Sequence, residues 1–346
     1  MLSYHLSHSG AGLSGLAVRE HDTPAPGPGQ ALVAVRATSL SYRELMVLDG
    51  TYVLPVKPDV VPLSDGAGEV VAVGPGADPV RVGDRVAATL FPSWQDGPFA
   101  VEHLAQRGGS LDGLLTEFAV LDAHSLVAVP AHLSYEEAAT LPCVAVTAWN
   151  ALTGDGTGPG PGDTVVVQGS GGVSLFALQF AKALGARVIA TTSGPARAAR
   201  LRGLGADDVV DYTATPDWAA EVRALTRGRG ADRIVDAAGL LHDSVRAIAL
   251  AGTIACVGFV GNAAVPLDTA ALFASGATVR SIAVGSRAQF EAMNAFIGTR
   301  GLRPVIDRVF PFDAARDAYR HYATGRPFGK VVISNSSASA PPRVLR

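Results

Sequence analysis

A glycine cluster directly after a run of β-prone residues is the feature of this sequence best suited to binding phosphate. Residues 164–168 read Thr-Val-Val-Val-Gln, and Gly169 and Gly171 follow before a helical pattern begins. A helix that opens on glycines presents unpaired backbone N–H groups and the positive end of its dipole, which together attract a pyrophosphate. Ser174 stands where the third glycine of the usual G-x-G-x-x-G pattern falls, so the turn must accommodate one small side chain more. The turn residues predicted to contact a dinucleotide are Gly169, Ser170, Gly171, Gly172 and Val173.

The next strand distinguishes a nucleotide site from an ordinary strand–helix turn, which the glycines alone would also fit. Residues 185–191 supply a second strand about one helix length later, which completes a βαβ unit. A site that prefers NAD places Asp or Glu at the end of this strand, whereas this chain has Thr192. Ser193 follows, and then Arg197 and Arg200, which would attract a 2′-phosphate. The pattern therefore predicts NADPH; the alternative is that both arginines belong to a solvated helix face.

The composition is that of an ordered globular protein. Hydrophobic residues make up 48% of the 346 residues and charged residues 17%, and a chain of this length predicts two domains. A formal net charge of −3 without any basic run predicts neither a nucleic-acid nor a membrane partner. Only Cys143 and Cys256 are present, which fits a reducing compartment. Because the first residues do not resemble a secretory signal and no apolar run is long enough to cross a bilayer, we expect a cytoplasmic protein.

The pattern changes along the chain from short β-like runs to an alternation of strands and helices. The first 125 residues contain such runs at 30–37 and 68–74, between prolines and glycines, which indicates an irregular β domain. The alternation from about 135 to 285 predicts a doubly wound parallel sheet. Strands are predicted at 164–168, 187–191, 208–211, 233–236, 253–257, 278–284, 304–310 and 329–334, and helices at 136–139, 146–152, 288–297 and 313–323. Residues 335–342 form a polar tail with no predicted structure.

Spaced motifs between residues 4 and 334 resemble those of the medium-chain dehydrogenase/reductase superfamily. Besides the glycine turn, the motifs that carry the resemblance are Pro26–Gly29, Asp65–Gly74, Arg81–Val86, Leu141–Cys143, Thr147–Trp149, Arg303–Asp307 and Phe328–Ile333. The resemblance implies an α/β protein with a GroES-like irregular β catalytic domain at 1–125 and 288–346, a Rossmann domain at 126–287, and an active-site cleft between them. It also implies a homodimer formed by edge-to-edge pairing of the last Rossmann strand.

The residues at the metal positions of this superfamily predict a metal-free enzyme. Zinc alcohol dehydrogenases have a Cys ligand at the position of Ser41, a His ligand at that of Ser64 and a Cys ligand at that of Cys143, so two of the three are replaced. Serine hydroxyls are poor zinc ligands beside thiolate or imidazole. The four cysteines of the structural zinc lobe are also missing between residues 90 and 112. We expect Cys143 to be a small buried side chain, with a contact in the active site as the alternative.

Hydroxyl groups in residues 39–52 are the predicted catalytic groups. Hydride transfer to a carbonyl or a conjugated enone leaves negative charge on oxygen, which hydrogen-bond donors must stabilise when no zinc is present. The stretch supplies hydroxyls at Ser41, Tyr42, Thr51 and Tyr52, of which Ser41, Tyr42 and Tyr52 are the catalytic candidates. It resembles the equivalent part of zinc-free quinone reductases, which usually have Asn at the Ser41 position, and of enoyl-thioester reductases, whose donor tyrosine matches Tyr52. The alternative is that Tyr52 packs a loop. Asp65 either orients a hydroxyl or, as we favour, caps a turn.

The resemblance also implies cofactor contacts and an activity. The implied contacts are Thr147, Tyr212, Ala238, Gly258, Phe259, Val284, Ser286 and Arg287, with Lys330 facing a phosphate. The implied activity is the NADPH-dependent reduction of a small-molecule quinone or α,β-unsaturated carbonyl. Two alternatives remain open: an NAD(P)-dependent alcohol or carbonyl oxidoreductase on the same fold, and a protein that binds NADPH without turnover.

Overall fold

The computed structural model describes residues 1–258, 266–325 and 327–335, and the chain divides into two compact units. The first unit contains Met1–Cys143 and Ser286–Arg346, and the second contains Val144–Gly285. The boundary between the two units lies after Cys143, whereas the sequence predicted it after residue 125. The reason is that residues 126–128 form a strand paired with 86–88 of the first unit.

The described residues form the following elements in chain order. The strands are β1 Leu2–Leu6, β2 Leu16–Glu20, β3 Gln30–Leu40, β4 Asp65–Val73, β5 Arg85–Ala88, β6 Phe118–Asp122, β7 Leu126–Ala128, β8 Thr164–Gln168, β9 Arg187–Thr192, β10 Asp208–Asp211, β11 Ala231–Asp236, β12 Ile248–Cys256, β13 Thr278–Ser281, β14 Ile306–Pro311 and β15 Lys330–Ser334. The α-helices are α1 Tyr42–Asp49, α2 Tyr135–Ala138, α3 Val146–Thr153, α4 Gly172–Ala183, α5 Pro195–Gly203, α6 Trp218–Leu225, α7 Leu241–Ala247, α8 Thr269–Ser275, α9 Arg287–Arg300 and α10 Ala315–Ala323.

The first unit is organised around a mixed sheet in which β3 is a long, mostly buried strand. The strand order is β14-β15-β3-β4-β5-β7, and β6 also pairs with β3. Strands β15 and β4 run antiparallel to β3 on its two sides. A core cluster that includes Leu40, Val331 and Tyr319 packs at this part of the sheet. Because β15, β3 and β4 are neighbours, polar residues at their adjoining ends are brought close together.

The second unit is a doubly wound parallel sheet, as predicted. Its strand order is β10-β9-β8-β11-β12-β13, and every pair is parallel. Strand β8 lies in the middle and its residues Val165, Val166 and Val167 are fully buried, which explains the unbroken apolar run. The order reverses between β8 and β11, and in sheets of this kind ligands bind where it reverses, at the carboxyl ends of the strands.

Most predicted elements are confirmed, with differences at their ends. The strands predicted at 253–257 and 278–284 are observed as Ile248–Cys256 and Thr278–Ser281, and the helix predicted at 313–323 begins as a 3₁₀ turn, Phe312–Ala314. Strand β13 has a paired neighbour on one side only within the described part of the chain, so the homodimer through this edge stays a prediction. Phe259 and the tail from residue 336 lie outside the described residues. Within them, none of the helices is both long and apolar enough to cross a bilayer.

Candidate functional site

The turn between β8 and α4 in the second unit has the conformation that a pyrophosphate site requires. Gly169 has a φ of 80°, which favours glycine, and Gly171 is the N-cap of the 12-residue helix α4 with no side chain capping it. A Cβ placed on either glycine would meet no atom within 4 Å, so the space beside the turn is open. The backbone N–H groups of the first helical turn are therefore available to an anion, and the residues fit a dinucleotide.

Side chains beneath this turn hold it in place. Ser174, at the third glycine position, is 2% exposed and donates its hydroxyl to the Gln168 carbonyl at 2.5 Å. The Gln168 side chain accepts from the Ala238 N–H at 3.2 Å and donates to the Ser244 hydroxyl at 3.0 Å. Asp236 accepts from Ser244, and burial raises the pKa of its carboxyl group. Serine in place of the third glycine thus anchors the helix to β8 instead of disturbing it.

The carboxyl end of β9 contains the predicted phosphate-binding corner, together with an acid that the sequence pattern missed. Thr192 is buried and its Oγ1 has no hydrogen-bond partner in the structure, while Ser193 and Arg197 are half-buried. Asp211, at the end of the neighbouring β10, lies at the same corner. The Thr213 hydroxyl and then the Gly194 N–H lower the pKa of the Asp211 carboxyl group. The corner therefore combines hydroxyls and a cation with one carboxylate that is already hydrogen-bonded.

The other predicted cofactor residues fall into two groups by unit. Those in the second unit are Thr147 in helix α3, and Tyr212, Ala238, Gly258 and Val284, which come one to three residues after parallel strands end. Ser286, Arg287 and Lys330 lie in the first unit. There Ser286 caps α9 by accepting from the Gln289 N–H, and Arg287 forms an ion pair with Glu291 at 2.9 Å. These contacts give Ser286 and Arg287 structural roles, and their cofactor roles stay predictions.

A buried polar cluster in the first unit contains the predicted catalytic residue Ser41. We call Ser39, Ser41, Asp65 and Lys330 the serine–lysine cluster. Lys330 is 2% exposed, and its Nζ donates to Ser41 Oγ at 2.8 Å and to Asp65 Oδ2 at 3.0 Å. Ser41 Oγ also lies 3.2 Å from Asp65 Oδ2, to which Ser39 donates at 3.1 Å. Ser41 precedes α1 as its N-cap residue, yet its hydroxyl does not cap the helix.

The strand register explains why these residues meet. Val331 of β15 pairs with Leu40 of β3, so Lys330 lies beside Ser41, and Ser39 of β3 pairs with Asp65 of β4. Asp65 therefore orients a hydroxyl, and our preference for a turn-capping role was wrong. The predicted phosphate contact of Lys330 does not account for the two hydrogen bonds that its ammonium makes. A lysine directly before the apolar run 331–333 was the signal that could have revealed this cluster.

The predicted tyrosines have different surroundings. Tyr42, the first residue of α1, is 41% exposed. Tyr52 is half-buried, packs against the first unit's core, and lies under the Arg43 guanidinium, 4.7 Å from its ring centroid. Arg43 forms a buried ion pair with Glu44 at 2.6 Å, and Glu44 accepts from the Ser64 hydroxyl at 3.0 Å. Burial opposes the charge on Arg43, but Glu44 holds its pKa above the ordinary value. Tyr52 thus has a fixed ring position beside a cation.

The donor set at the metal positions does not fit a catalytic zinc. The Ser41 hydroxyl accepts from Lys330, and the Ser64 hydroxyl is engaged with Glu44. Burial, and next the Asp65 carboxylate, raise the pKa of the Cys143 thiol to about 12, so it stays protonated at neutral pH. Two hydroxyls, a single thiol and a nearby ammonium are a poor site for Zn²⁺, which binds thiolate, imidazole and carboxylate. Across the described ranges, no group of three His, Cys, Asp or Glu side chains is placed to hold a metal ion.

Replacing Cys143 by alanine is expected to weaken the pH dependence of stability above pH 9. An ordinary thiol has a pKa of about 8.5, so between that pH and about 12 the folded protein keeps a proton that the unfolded chain has lost. The folded state binds more protons, and stability falls as pH rises, by at most about 1.4 kcal/mol per pH unit from this group. Urea unfolding of both proteins between pH 8 and pH 10.5 measures the difference.

Cys256→Ala in the second unit is a parallel case. Burial raises the pKa of that thiol to about 11, so between pH 8 and pH 10.5 its replacement should flatten the pH dependence to a similar extent. Equal pH slopes for the unaltered protein and Cys143→Ala would show that Cys143 ionises normally in the folded state.

Comparison with known proteins places the whole chain in one group of enzymes. The family model described as "Alcohol dehydrogenase GroES-like domain" matches residues 27–131, and the one described as "Zinc-binding dehydrogenase" matches 172–299. A zinc-type alcohol dehydrogenase-like protein of Schizosaccharomyces pombe is 38% identical over 96% of this chain and 99% of its own.

Solved structures agree with this placement. A putative alcohol dehydrogenase from Sinorhizobium meliloti 1021 superposes with a TM-score of 0.88 at 38% identity, and covers 96% of this chain and 99% of its own. The crystal structure of an NAD-dependent alcohol dehydrogenase has a TM-score of 0.86 at 33% identity, and covers 96% of this chain and 99% of its own.

Proposed function

Since the chain belongs to the medium-chain dehydrogenase/reductase superfamily and is an alcohol dehydrogenase-like oxidoreductase, we propose that it is an NADPH-dependent, zinc-independent reductase. Its proposed substrates are small quinones or α,β-unsaturated carbonyl compounds. The serine–lysine cluster is the observation that carries the proposal. Its Ser41 hydroxyl stands at a position where zinc-dependent members have a metal ligand and accepts from the Lys330 ammonium, and the cluster is held together by hydrogen bonds of 2.8–3.2 Å.

The residues of this chain have separate parts in the proposed reaction. The glycine turn at 169–172 would hold the pyrophosphate, and Ser193 and Arg197 the 2′-phosphate. When bound, the nicotinamide cofactor supplies the hydride. Ser41 and Tyr52, with Tyr42 as a third candidate, donate hydrogen bonds to the substrate oxygen that gains negative charge as its carbonyl or conjugated system is reduced. Each well-placed donor lowers such a barrier by about 3–4 kcal/mol.

Steady-state oxidation of NADPH with a panel of quinones, enones, aldehydes and ketones tests the proposal, together with metal analysis of the purified protein. We expect turnover with quinones or enones, less than stoichiometric zinc, and no loss of activity in the presence of a chelator. Stoichiometric zinc that is needed for turnover would overturn the proposal. Tight NADPH binding without turnover of any acceptor would favour a binding protein.

A second candidate is an NAD-dependent alcohol or carbonyl oxidoreductase. Asp211 favours it, because a carboxylate at the corner beside Thr192 and Gly194 can accept from a ribose 2′-hydroxyl and repels a 2′-phosphate. The names of the relatives favour it as well. Oxidation of simple alcohols with NAD⁺, at rates above those of quinone reduction with NADPH, would select this candidate.

Replacing Tyr52 by phenylalanine is expected to lower kcat by about 100-fold, because one oxyanion donor is lost. The ring still packs against the core and under Arg43, so NADPH affinity should change little, while the lost hydrogen bond between Arg43 and the Tyr52 hydroxyl should cost about 1 kcal/mol of stability. Tyr135→Phe is the control, since that ring also lies under an arginine, Arg85, but outside the predicted site. Unchanged kcat in Tyr52→Phe would assign Tyr52 the loop-packing role.

A further inference from the structure

Lys330 is a buried cation that the proposed reaction leaves unexplained. Only 2% of the residue is exposed, and lysine is rarely buried to this extent unless it is paired. Its ammonium has three N–H donors, and two of them are used by Ser41 Oγ and Asp65 Oδ2. Asp65 alone would neutralise the charge. The additional bond to Ser41 puts the cation directly against a hydroxyl at a predicted catalytic position.

We propose that Lys330 is a positioning residue that, held by Asp65, makes Ser41 the active-site hydrogen-bond donor to a substrate carbonyl or quinone oxygen. This inference rests on the proposed function. Lys330 acts through Ser41, because no other described hydroxyl accepts from its Nζ at hydrogen-bond distance. The class of ligand that Ser41 serves is an oxygen on which negative charge develops.

The hydrogen bonds within the cluster leave the Ser41 proton available. Asp65 Oδ2 already receives Lys330 Nζ at 3.0 Å and Ser39 Oγ at 3.1 Å, and its contact with Ser41 is the longest of the three at 3.2 Å. When Ser41 turns its O–H towards a substrate oxygen, the carboxylate keeps the Lys330 ammonium and shares the single Ser39 proton with the Ala139 carbonyl, which lies 2.9 Å from Ser39 Oγ. Ser41 meanwhile keeps Lys330 as a donor at 2.8 Å. The change of partner therefore leaves no charge unpaired.

The position of the ammonium strengthens the Ser41 hydroxyl as a donor. A chain of hydrogen bonds from Lys330 through Ser41 to the substrate oxygen is polarised along its length, and each bond strengthens the next. The environment is largely buried, where such interactions are screened less than in water. The cluster thus puts positive charge two hydrogen bonds away from the oxygen that becomes negative.

The test compares Lys330→Met, Ser41→Ala and the double variant with the unaltered protein. We expect each single variant to lower kcat by about 100–1,000-fold, and the double variant to be no slower than Ser41→Ala. The primary isotope effect on kcat with deuterated NADPH should rise as hydride transfer becomes rate-limiting. The dissociation constant for NADPH, measured by fluorescence titration, should change less than two-fold.

Several results would overturn the inference. Multiplicative losses in the double variant would mean that Lys330 acts independently of Ser41. A ten-fold weaker NADPH affinity in Lys330→Met would indicate that Lys330 binds a cofactor phosphate. Unchanged kcat in folded Ser41→Ala would show that the Ser41 hydroxyl takes no part in the reaction. Because Ser41→Ala keeps the Lys330–Asp65 ion pair, this variant still tests the inference if Lys330→Met does not fold. An unaltered protein that turns over no acceptor refutes the proposed function, whereas an active one with unaffected variants refutes only this inference.

Discussion

Lys330→Met is expected to destabilise the folded protein by about 3–5 kcal/mol, because it leaves the Asp65 carboxylate buried without its cation. Both side chains are buried, with exposed fractions of 2% and 0%, and their charged atoms are 3.0 Å apart. The other side chains that hydrogen-bond Asp65 Oδ2 are the neutral hydroxyls of Ser39 and Ser41. Urea unfolding at neutral pH, followed by circular dichroism, measures the loss in the free energy of unfolding.

A second substitution separates the pair from a general packing defect. Lys330→Met/Asp65→Asn removes both charges and should be more stable than the sum of the two single losses predicts, because no isolated charge remains. Lys57→Met is the control for losing an exposed pair in the same unit. Lys57 and Asp112 are 2.8 Å apart but 37% and 53% exposed, so we expect a change of at most about 1 kcal/mol. Similar losses in Lys330→Met and Lys57→Met would contradict a buried ion pair.

Arg197→Ala is expected to weaken NADPH binding by about 10–100-fold and to leave NADH binding unchanged. A charge-assisted hydrogen bond contributes about 1.5–3 kcal/mol, and every 1.4 kcal/mol changes affinity about ten-fold. Arg197 lies in the first turn of α5, close after Thr192 and Ser193, where the 2′-phosphate is expected. Fluorescence titration with both coenzymes measures the two dissociation constants.

Arg202→Ala, in the last turn of the same helix, is the matched control and should leave both affinities unchanged. Asp211→Asn tests the competing cofactor. If the corner binds NADPH, removing that carboxylate should tighten NADPH binding, since a negative charge near the phosphate is lost. If the corner binds NADH, Asp211→Asn should weaken NADH binding and Arg197→Ala should change neither affinity.

The parts of the molecule that follow from local pattern were predictable from the sequence. Neighbouring residues and the spacing of apolar residues along the chain determine the strand, glycine turn and helix around Gly169. The same holds for the parallel strands that follow. The serine–lysine cluster depends on strand register between distant segments. Lys330 is 289 residues from Ser41 and 265 from Asp65 along the chain, and no local signal fixes which strand lies beside which.

Asp211 was missed for a similar reason. Cofactor preference was predicted from the residues at the end of β9. Asp211 lies at the end of the adjacent strand β10, where Val210 pairs with Thr191 of β9. The acid therefore reaches the corner through sheet pairing and not through proximity in sequence. The hydroxyl-orienting role of Asp65 likewise required the pairing of Ser39 with Asp65 across β3 and β4.

The central strands of the first unit come from both sides of the second unit in the chain. During synthesis, β3 and β4 leave the ribosome long before β15, and the whole of Val144–Gly285 is translated in between. The second unit has all its strands as soon as its own residues have emerged. The ion pair between Asp65 and Lys330 can form only after residue 330 has been synthesised. A nascent chain stalled before residue 330 would thus contain every strand of the second unit, whereas in the first unit β3 would lack its neighbour β15.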